Sequence, residues 1–84
     1  MNQAAFSDNE ITGDALTEPR KLIARYETDH RHTVTVNSLE EASEHWQASI
    51  AEGCFGASEV GSCDIYEGSK VVARISYNGR VWAV

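Results

Sequence analysis

Three histidines and two cysteines are the residues of this chain whose types could bind a metal or carry out nucleophilic chemistry. His30 and His32 are two residues apart, so both imidazoles point to the same side if this segment is a strand. A zinc site needs three or four protein ligands, and we predict no further ligand beside this pair. The sequence therefore predicts a solvated turn here and no metal or other cofactor.

The sequence lacks the motifs that are typical of hydrolases and of phosphate-binding loops. Ser58 does not lie in the Gly-x-Ser-x-Gly turn that exposes a catalytic serine. The three glycines between residues 53 and 61 have neither dinucleotide-binding spacing nor the Lys-Ser/Thr of a phosphate loop. Cys54 and Cys63 are predicted to be small thiols that line the core. We predict that the chain is not an enzyme.

Acidic residues dominate the charge of the chain. Thirteen Asp and Glu against seven Lys and Arg give a net charge of −6, which disfavours binding to a phosphate backbone and suits a basic partner. Glu40, Glu41, Glu44 and Glu52 lie in a segment without a base. Two interpretations stay open: these carboxylates are the solvated face of a helix, or they imitate a nucleic-acid backbone in a basic protein groove. The second makes Glu40, Glu41 and Glu44 candidate partner-binding residues.

The elements that position these groups are predicted from local signals. Residues 1–19 lack a hydrophobic period and are predicted to be a disordered acidic arm before a domain spanning residues 20–84. A helix begins at Ser38, because Ser38 and Glu41 form a capping box, and Gly53 suits a left-handed C-cap. Its predicted buried stripe consists of Leu39, Ala42, Trp46 and Ile50.

The last fifteen residues predict a β-hairpin. Asn78-Gly79 favours a two-residue type I′ turn, which places Ile75 opposite Trp82. In that register the inner face carries Ala73, Ile75, Tyr77, Trp82 and Val84, and Val81 and Ala83 belong to the outer face. For the preceding strand, residues 63–67, either Ile65 or Tyr66 points inward, and we favour Ile65.

The order of these elements predicts an α+β fold: a single domain with a mostly antiparallel four- to five-stranded sheet (β-β-α-β-β-β) and one amphipathic helix packed on one face. The uncovered face gathers the remaining candidate partner-binding residues, which are Arg25, Tyr66, Arg74 and Val81. Apolar residues mixed with Arg and Tyr are typical of protein interfaces. The alternatives to partner binding are that the acidic arm covers this face or that two copies of the chain pair through it.

The size, the acidity, this order of elements and the terminal hairpin ARISYNGRVWAV resemble small proteins of phages and mobile elements, in particular type I anti-CRISPR inhibitors. The resemblance covers roughly residues 20–84. It implies binding to a Cas protein or to the RNA-guided surveillance complex of a bacterial host, so that target DNA is excluded. No functional residue of that family can be assigned here by motif.

Two other functions remain open from the sequence alone. The open sheet face could bind RNA or single-stranded DNA through Arg25, Arg74 and Tyr66, or the chain could be a structural homodimer. The N-terminus lacks the basic and apolar regions of a secretory signal, and no run approaches the length of a membrane span. We therefore expect a cytoplasmic protein with no membrane partner.

Overall fold

A six-stranded antiparallel sheet, covered on one face by helices, organises the computed structural model, which describes residues 9–56 and 58–84. The elements are β1 (Glu10–Ile11), α1 (Asp14–Thr17), β2 (Leu22–Glu27), β3 (Arg31–Val36), α2 (Leu39–Gly53), β4 (Cys63–Glu67), β5 (Lys70–Ile75) and β6 (Val81–Ala83). The strand order is β1-β6-β5-β4-β2-β3. The predicted α+β class is confirmed, with one strand more than expected.

Helix α2 begins and packs as its sequence predicts. The Glu41 amide donates to Ser38 Oγ (3.1 Å), while the Glu41 carboxylate accepts from the Asn37 amide (2.9 Å), so the capping box is formed. All four residues of the predicted stripe, Leu39, Ala42, Trp46 and Ile50, are buried. The C-cap differs from the prediction: Cys54, not Gly53, adopts the left-handed conformation (φ 55°).

Gly53 has a packing role instead. The Phe55 ring lies directly against its α-carbon, where a β-carbon would collide with the ring. Helix α2 therefore ends one residue later than predicted, and the left-handed residue is a cysteine whose side chain is exposed. The expectation that Cys54 lines the core is wrong, whereas Cys63 is fully buried as predicted. Both cysteines are free thiols.

The β5–β6 hairpin has a three-residue loop, not the predicted two-residue loop. The Ser76 amide donates to the Arg80 carbonyl and the Gly79 amide to the Ser76 carbonyl, both at 2.9 Å. Within this loop, Gly79 has a positive φ (91°) and Asn78 does not, which is the pattern of a type I turn closed by a glycine bulge. Ile75 consequently lies opposite Val81 rather than Trp82.

This one-residue shift exchanges the two faces of β6. Val81 is buried, Trp82 is half-buried on the face away from α2, and Val84 and Tyr77 are exposed. The predicted outward position of Val81 and inward positions of Trp82, Tyr77 and Val84 are therefore wrong. The side of β5 is correct, since Ala73 and Ile75 are both buried.

The β4–β5 connection combines a two-residue turn with a β-bulge. Glu67 pairs with Lys70 across a two-residue turn, and a bulge then shifts the register between Ile65 and Tyr66. The bulge brings Ile65 opposite Ala73, and Ile65 is fully buried. The predicted inward position of Ile65 is thus confirmed.

The N-terminal segment belongs to the fold from residue 9 onward. Strand β1 pairs with β6, and the Ala83 amide donates to the Asn9 carbonyl at 2.7 Å. Ile11 and Leu16 pack against the core. These two isolated apolar residues anchor the segment, although its sequence has no hydrophobic period. The prediction of a disordered arm is therefore corrected for residues 9–19, and residues 1–8 lie outside the described part. Neither described helix combines the length and hydropathy of a membrane crossing.

Candidate functional site

The sheet face opposite α2 carries a continuous row of polar and aromatic side chains across all six strands. Direct cross-strand pairing places them side by side. We call this surface, together with the second row that lies next to it, the open sheet face. The first row, in strand order from β1 to β3, is Glu10, Trp82, Arg74, Asp64, Arg25 and Thr33. The second row is Val71, Tyr66, Ile23 and Thr35.

Arg25 and Tyr66 form a cation–π pair on this face. The guanidinium carbon of Arg25 lies 5.3 Å from the centre of the Tyr66 ring, within the range of an attractive contact. Arg25 is exposed and Tyr66 half-buried, so a binding partner could reach both. Two of the predicted partner-binding residues are thereby brought into contact.

Arg74, the third predicted residue of this face, is held by an ion pair. Its Nε donates to Asp64 Oδ1 at 3.0 Å, and both side chains are partly exposed. Arg80, beside the row, lies 3.7 Å from Glu10. Most of the positive charge along the first row thus has a carboxylate neighbour, so the open sheet face is close to neutral.

Val81 is excluded from this face by the hairpin register, and Trp82 takes its place. Val81 is only 3% exposed and packs in the core, which corrects its prediction as a partner-binding residue. Trp82 was missed because the Asn-Gly pair favours the shorter loop. The signal that identifies it is the glycine at the third loop position, which a type I turn with a bulge requires.

The helices form a second candidate surface, which we call the acidic helical layer. Its carboxylates are Asp14 on α1 and Glu40, Glu41, Glu44 and Glu52 on α2. All seven Lys and Arg lie outside both helices. Glu40 and Glu44 are exposed, whereas Glu41 is half-buried and engaged in the cap. Of the three predicted glutamates, Glu40 and Glu44 are therefore accessible in full.

A third group of polar side chains surrounds the β2–β3 turn. Ligand atoms of Asp29, His30 and His32 all lie within 4.8 Å of one another. His30 Nδ1 is 2.8 Å from Asp29 Oδ1, and Thr28 Oγ1 lies 2.9 Å from His32 Nε2 and donates to Asp29 Oδ1 at 3.1 Å. The Thr28 hydrogen bond, with a smaller contribution from His30, holds the pKa of Asp29 below its ordinary value. Asp29 was not predicted as a site residue, although it immediately precedes His30 in the sequence.

Three other groups have pKa values that are shifted for structural reasons. The hydrogen bond from Arg20 lowers the pKa of Glu67 and raises that of Arg20, at a separation of 2.8 Å. Burial raises the pKa of Cys63 to about 12. A thiol in that environment is not a nucleophile at neutral pH.

Comparison with models of protein families, with curated proteins and with solved structures finds no match for this chain.

Proposed function

We propose that this chain is a non-enzymatic, stoichiometric inhibitor of the anti-CRISPR kind. It binds a Cas protein or the surveillance complex in the bacterial cytoplasm and blocks the binding of target DNA. In this proposal the acidic helical layer occupies a basic groove that otherwise holds nucleic acid. The observation that carries the proposal is the separation of charge, with acids but no Lys or Arg on the helices.

The spacing of the exposed carboxylates supports this arrangement. Glu40 and Glu44 are one helical turn apart, which is about 6 Å along the axis. A nucleic-acid strand carries one charge per ~3.4 Å, so this stripe of α2 has roughly half the linear charge density of a strand. That density suits a groove lined with Lys and Arg, and it predicts binding that weakens as salt is added.

The open sheet face is the competing contact surface for a protein partner. Its two rows contain Trp82, Tyr66 and Arg25, which are residue types enriched where protein interfaces contribute most energy. Its ion pairs leave little net charge. Binding through this face would therefore depend weakly on salt, which separates it from binding through the helical layer.

A charge-reversal experiment with a matched control tests the proposal. Glu44→Lys alters the acidic helical layer, and Glu27→Lys makes the same change in net charge at an exposed position on β2. We expect Glu44→Lys, and more strongly the Glu40→Lys/Glu44→Lys double variant, to lose inhibition of target-DNA binding by a purified type I surveillance complex. Glu27→Lys should retain it. Glu41 is left unchanged because its carboxylate caps α2.

Each result has a defined meaning for the proposal. Equal loss of inhibition in Glu44→Lys and Glu27→Lys would indicate a general effect of net charge and would contradict the helical contact. Loss only in Arg25→Glu would move the contact to the open sheet face. Absence of inhibition by the unaltered chain, across surveillance complexes of several subtypes, would refute the proposed function.

Direct nucleic-acid binding is the second candidate, favoured by the Arg25–Tyr66 pair on an open sheet. The net charge of −6 and the Asp64 partner of Arg74 oppose it. Fluorescence anisotropy with labelled single-stranded DNA and RNA tests this function directly. Saturable binding that Arg25→Glu abolishes would replace the inhibitor proposal, and sedimentation of the chain alone tests the homodimer.

A further inference from the structure

The β2–β3 turn and the end of α2 line an open pocket of about 220 Å³ whose walls include two imidazoles and two carboxylates. Asp29, His30 and His32 come from the turn and the start of β3, and Glu52 comes from the last turn of α2. Thr28, Ser49, Gly53 and Phe55 complete the lining. Neither proposed binding surface uses Asp29, His30 or His32.

The hydrogen bonds of Thr28 leave one nitrogen lone pair of His32 available to an ion. Thr28 Oγ1 uses its hydrogen on Asp29, so its contact with His32 Nε2 requires His32 to donate. His32 then carries its proton on Nε2 and a lone pair on Nδ1. An outer hydrogen-bond partner of this kind is what fixes the tautomer of metal-binding histidines. The His32 ring is also fixed by stacking on Tyr26, with ring centres 4.7 Å apart.

The positions of the three side chains fit a small coordination sphere. His30 Nδ1 and Asp29 Oδ1 are 2.8 Å apart, and neighbouring ligands of a tetrahedral zinc ion are separated by about 3.3 Å, given bonds of ~2.0–2.1 Å. All three ligand atoms lie within 4.8 Å. Because Asp29 and His30 are exposed, small side-chain rotations can bring the three ligand atoms to the separations that a tetrahedral ion requires.

The charge around the turn also favours a cation. Glu52 lies in the last turn of α2, where its negative charge opposes the helix dipole and has no basic neighbour on the helix. The partial negative charge at that helix end adds to those of Glu52 and Asp29. A bound cation offsets all three, which gives Glu52 a favourable interaction that the helix alone does not provide.

We propose that Asp29, His30 and His32 form a binding site for one divalent transition-metal ion of the zinc class. The ion takes the place of the proton between His30 and Asp29, and His32 is the third ligand. Two imidazoles with one carboxylate are a donor set that suits Zn²⁺, Co²⁺ and Ni²⁺ better than Mg²⁺ or Ca²⁺. Water occupies the fourth position on the pocket side.

Titration of the untagged full chain with ZnCl₂ and CoCl₂ at neutral pH tests this site. Cys54→Ser is introduced into every protein, because Cys54 is an exposed thiol close to the end of α2. We expect one equivalent of Zn²⁺ per chain by calorimetry and visible absorption bands with Co²⁺. His30→Ala and Asp29→Asn, both at exposed positions, should lower the affinity at least tenfold.

His45→Ala is the matched control, since His45 is exposed on α2 and is not part of the cluster. It should leave the affinity within about twofold of the parent. Saturation well short of one equivalent, equal losses in His45→Ala and His30→Ala, or unchanged binding in His30→Ala would each overturn the proposal. Circular dichroism of the metal-free variants verifies that the comparison is made between folded proteins.

Discussion

Trp46 and Trp82 have the same side chain in opposite environments. Trp46 is fully buried beneath α2, and its indole Nε1 donates to the Ser76 carbonyl at 2.9 Å. Trp82 is half-buried on the open sheet face, where its indole lies 3.4 Å from Ser76 Oγ. One residue therefore contributes mainly to stability, and the other can contribute to binding.

Replacing each tryptophan separates these roles. Trp46→Ala should lower the free energy of unfolding by about 3–5 kcal/mol, because it leaves a large cavity and removes one of the two hydrogen bonds to the Ser76 carbonyl. Trp82→Ala should cost less than half as much. Urea denaturation followed by circular dichroism measures both changes. Equal losses would mean that Trp82 belongs to the core, as the shorter hairpin loop would require.

Alkaline pH should destabilise the chain through Cys63. Burial raises its pKa from 9.0 to about 12, so the unfolded chain releases this proton first. The stabilisation is complete below pH 9 and is lost as the pH rises towards 12. The difference in unfolding free energy between the parent and Cys63→Ala should shrink across that interval. A constant difference from pH 8 to pH 11 would contradict the buried, neutral thiol.

At the level of elements, helix α2 was predictable because its signals are local. Ser38, Glu41 and the apolar stripe act within a few residues of one another. The β5–β6 loop was not, because its conformation depends on contacts with α2. Ser43, Trp46 and Gln47 donate to the carbonyls of Gly79, Ser76 and Tyr77, respectively, at 2.6–2.9 Å. These tertiary hydrogen bonds override the turn preference of Asn-Gly.

The three-residue loop makes a specific demand on Gly79. Gly79→Ala should destabilise the chain by about 1–2 kcal/mol, because alanine is strained at positive φ. Its methyl group would also press on Gln47 and Ser43, with contacts of 3.2–3.3 Å. Gly61→Ala is the control, since its β-carbon meets open space at an ordinary φ. Thermal unfolding compares them, and equal shifts in Tm would argue against this loop.

At the scale of the whole molecule, the strand order places the N-terminal segment at one edge of the sheet as strand β1. Residues 9–11 extend the sheet beyond β6, although their sequence has no strand period. Sequence patterns identified Arg25, Tyr66 and Arg74 as surface residues because alternation within a strand fixes its face. They could not identify the neighbours of these residues across the sheet, since pairing joins segments distant in sequence.

Amide hydrogen exchange should reveal this order of strands. The central strands β2, β4 and β5 should exchange slowest, and the edge strands β1 and β3 fastest. The Ala83 amide is the diagnostic probe, because its acceptor is the Asn9 carbonyl. We expect it to be protected in the full chain. Exchange of Ala83 at the rate of an unstructured amide would restore the interpretation of residues 9–19 as a detached arm.

The hydrogen bonds from α2 to the hairpin loop also bear on the order of folding events. A peptide of residues 70–84 lacks those three donors, so its Asn-Gly pair is expected to select the two-residue turn and the other face of β6. In the whole chain, groups 30–36 residues apart must meet before the native pairing is preferred. The exposure of Trp82 thus depends on contact with the helix, and in a full chain whose helix has not docked the two-residue turn would place Val81 on the outer face instead.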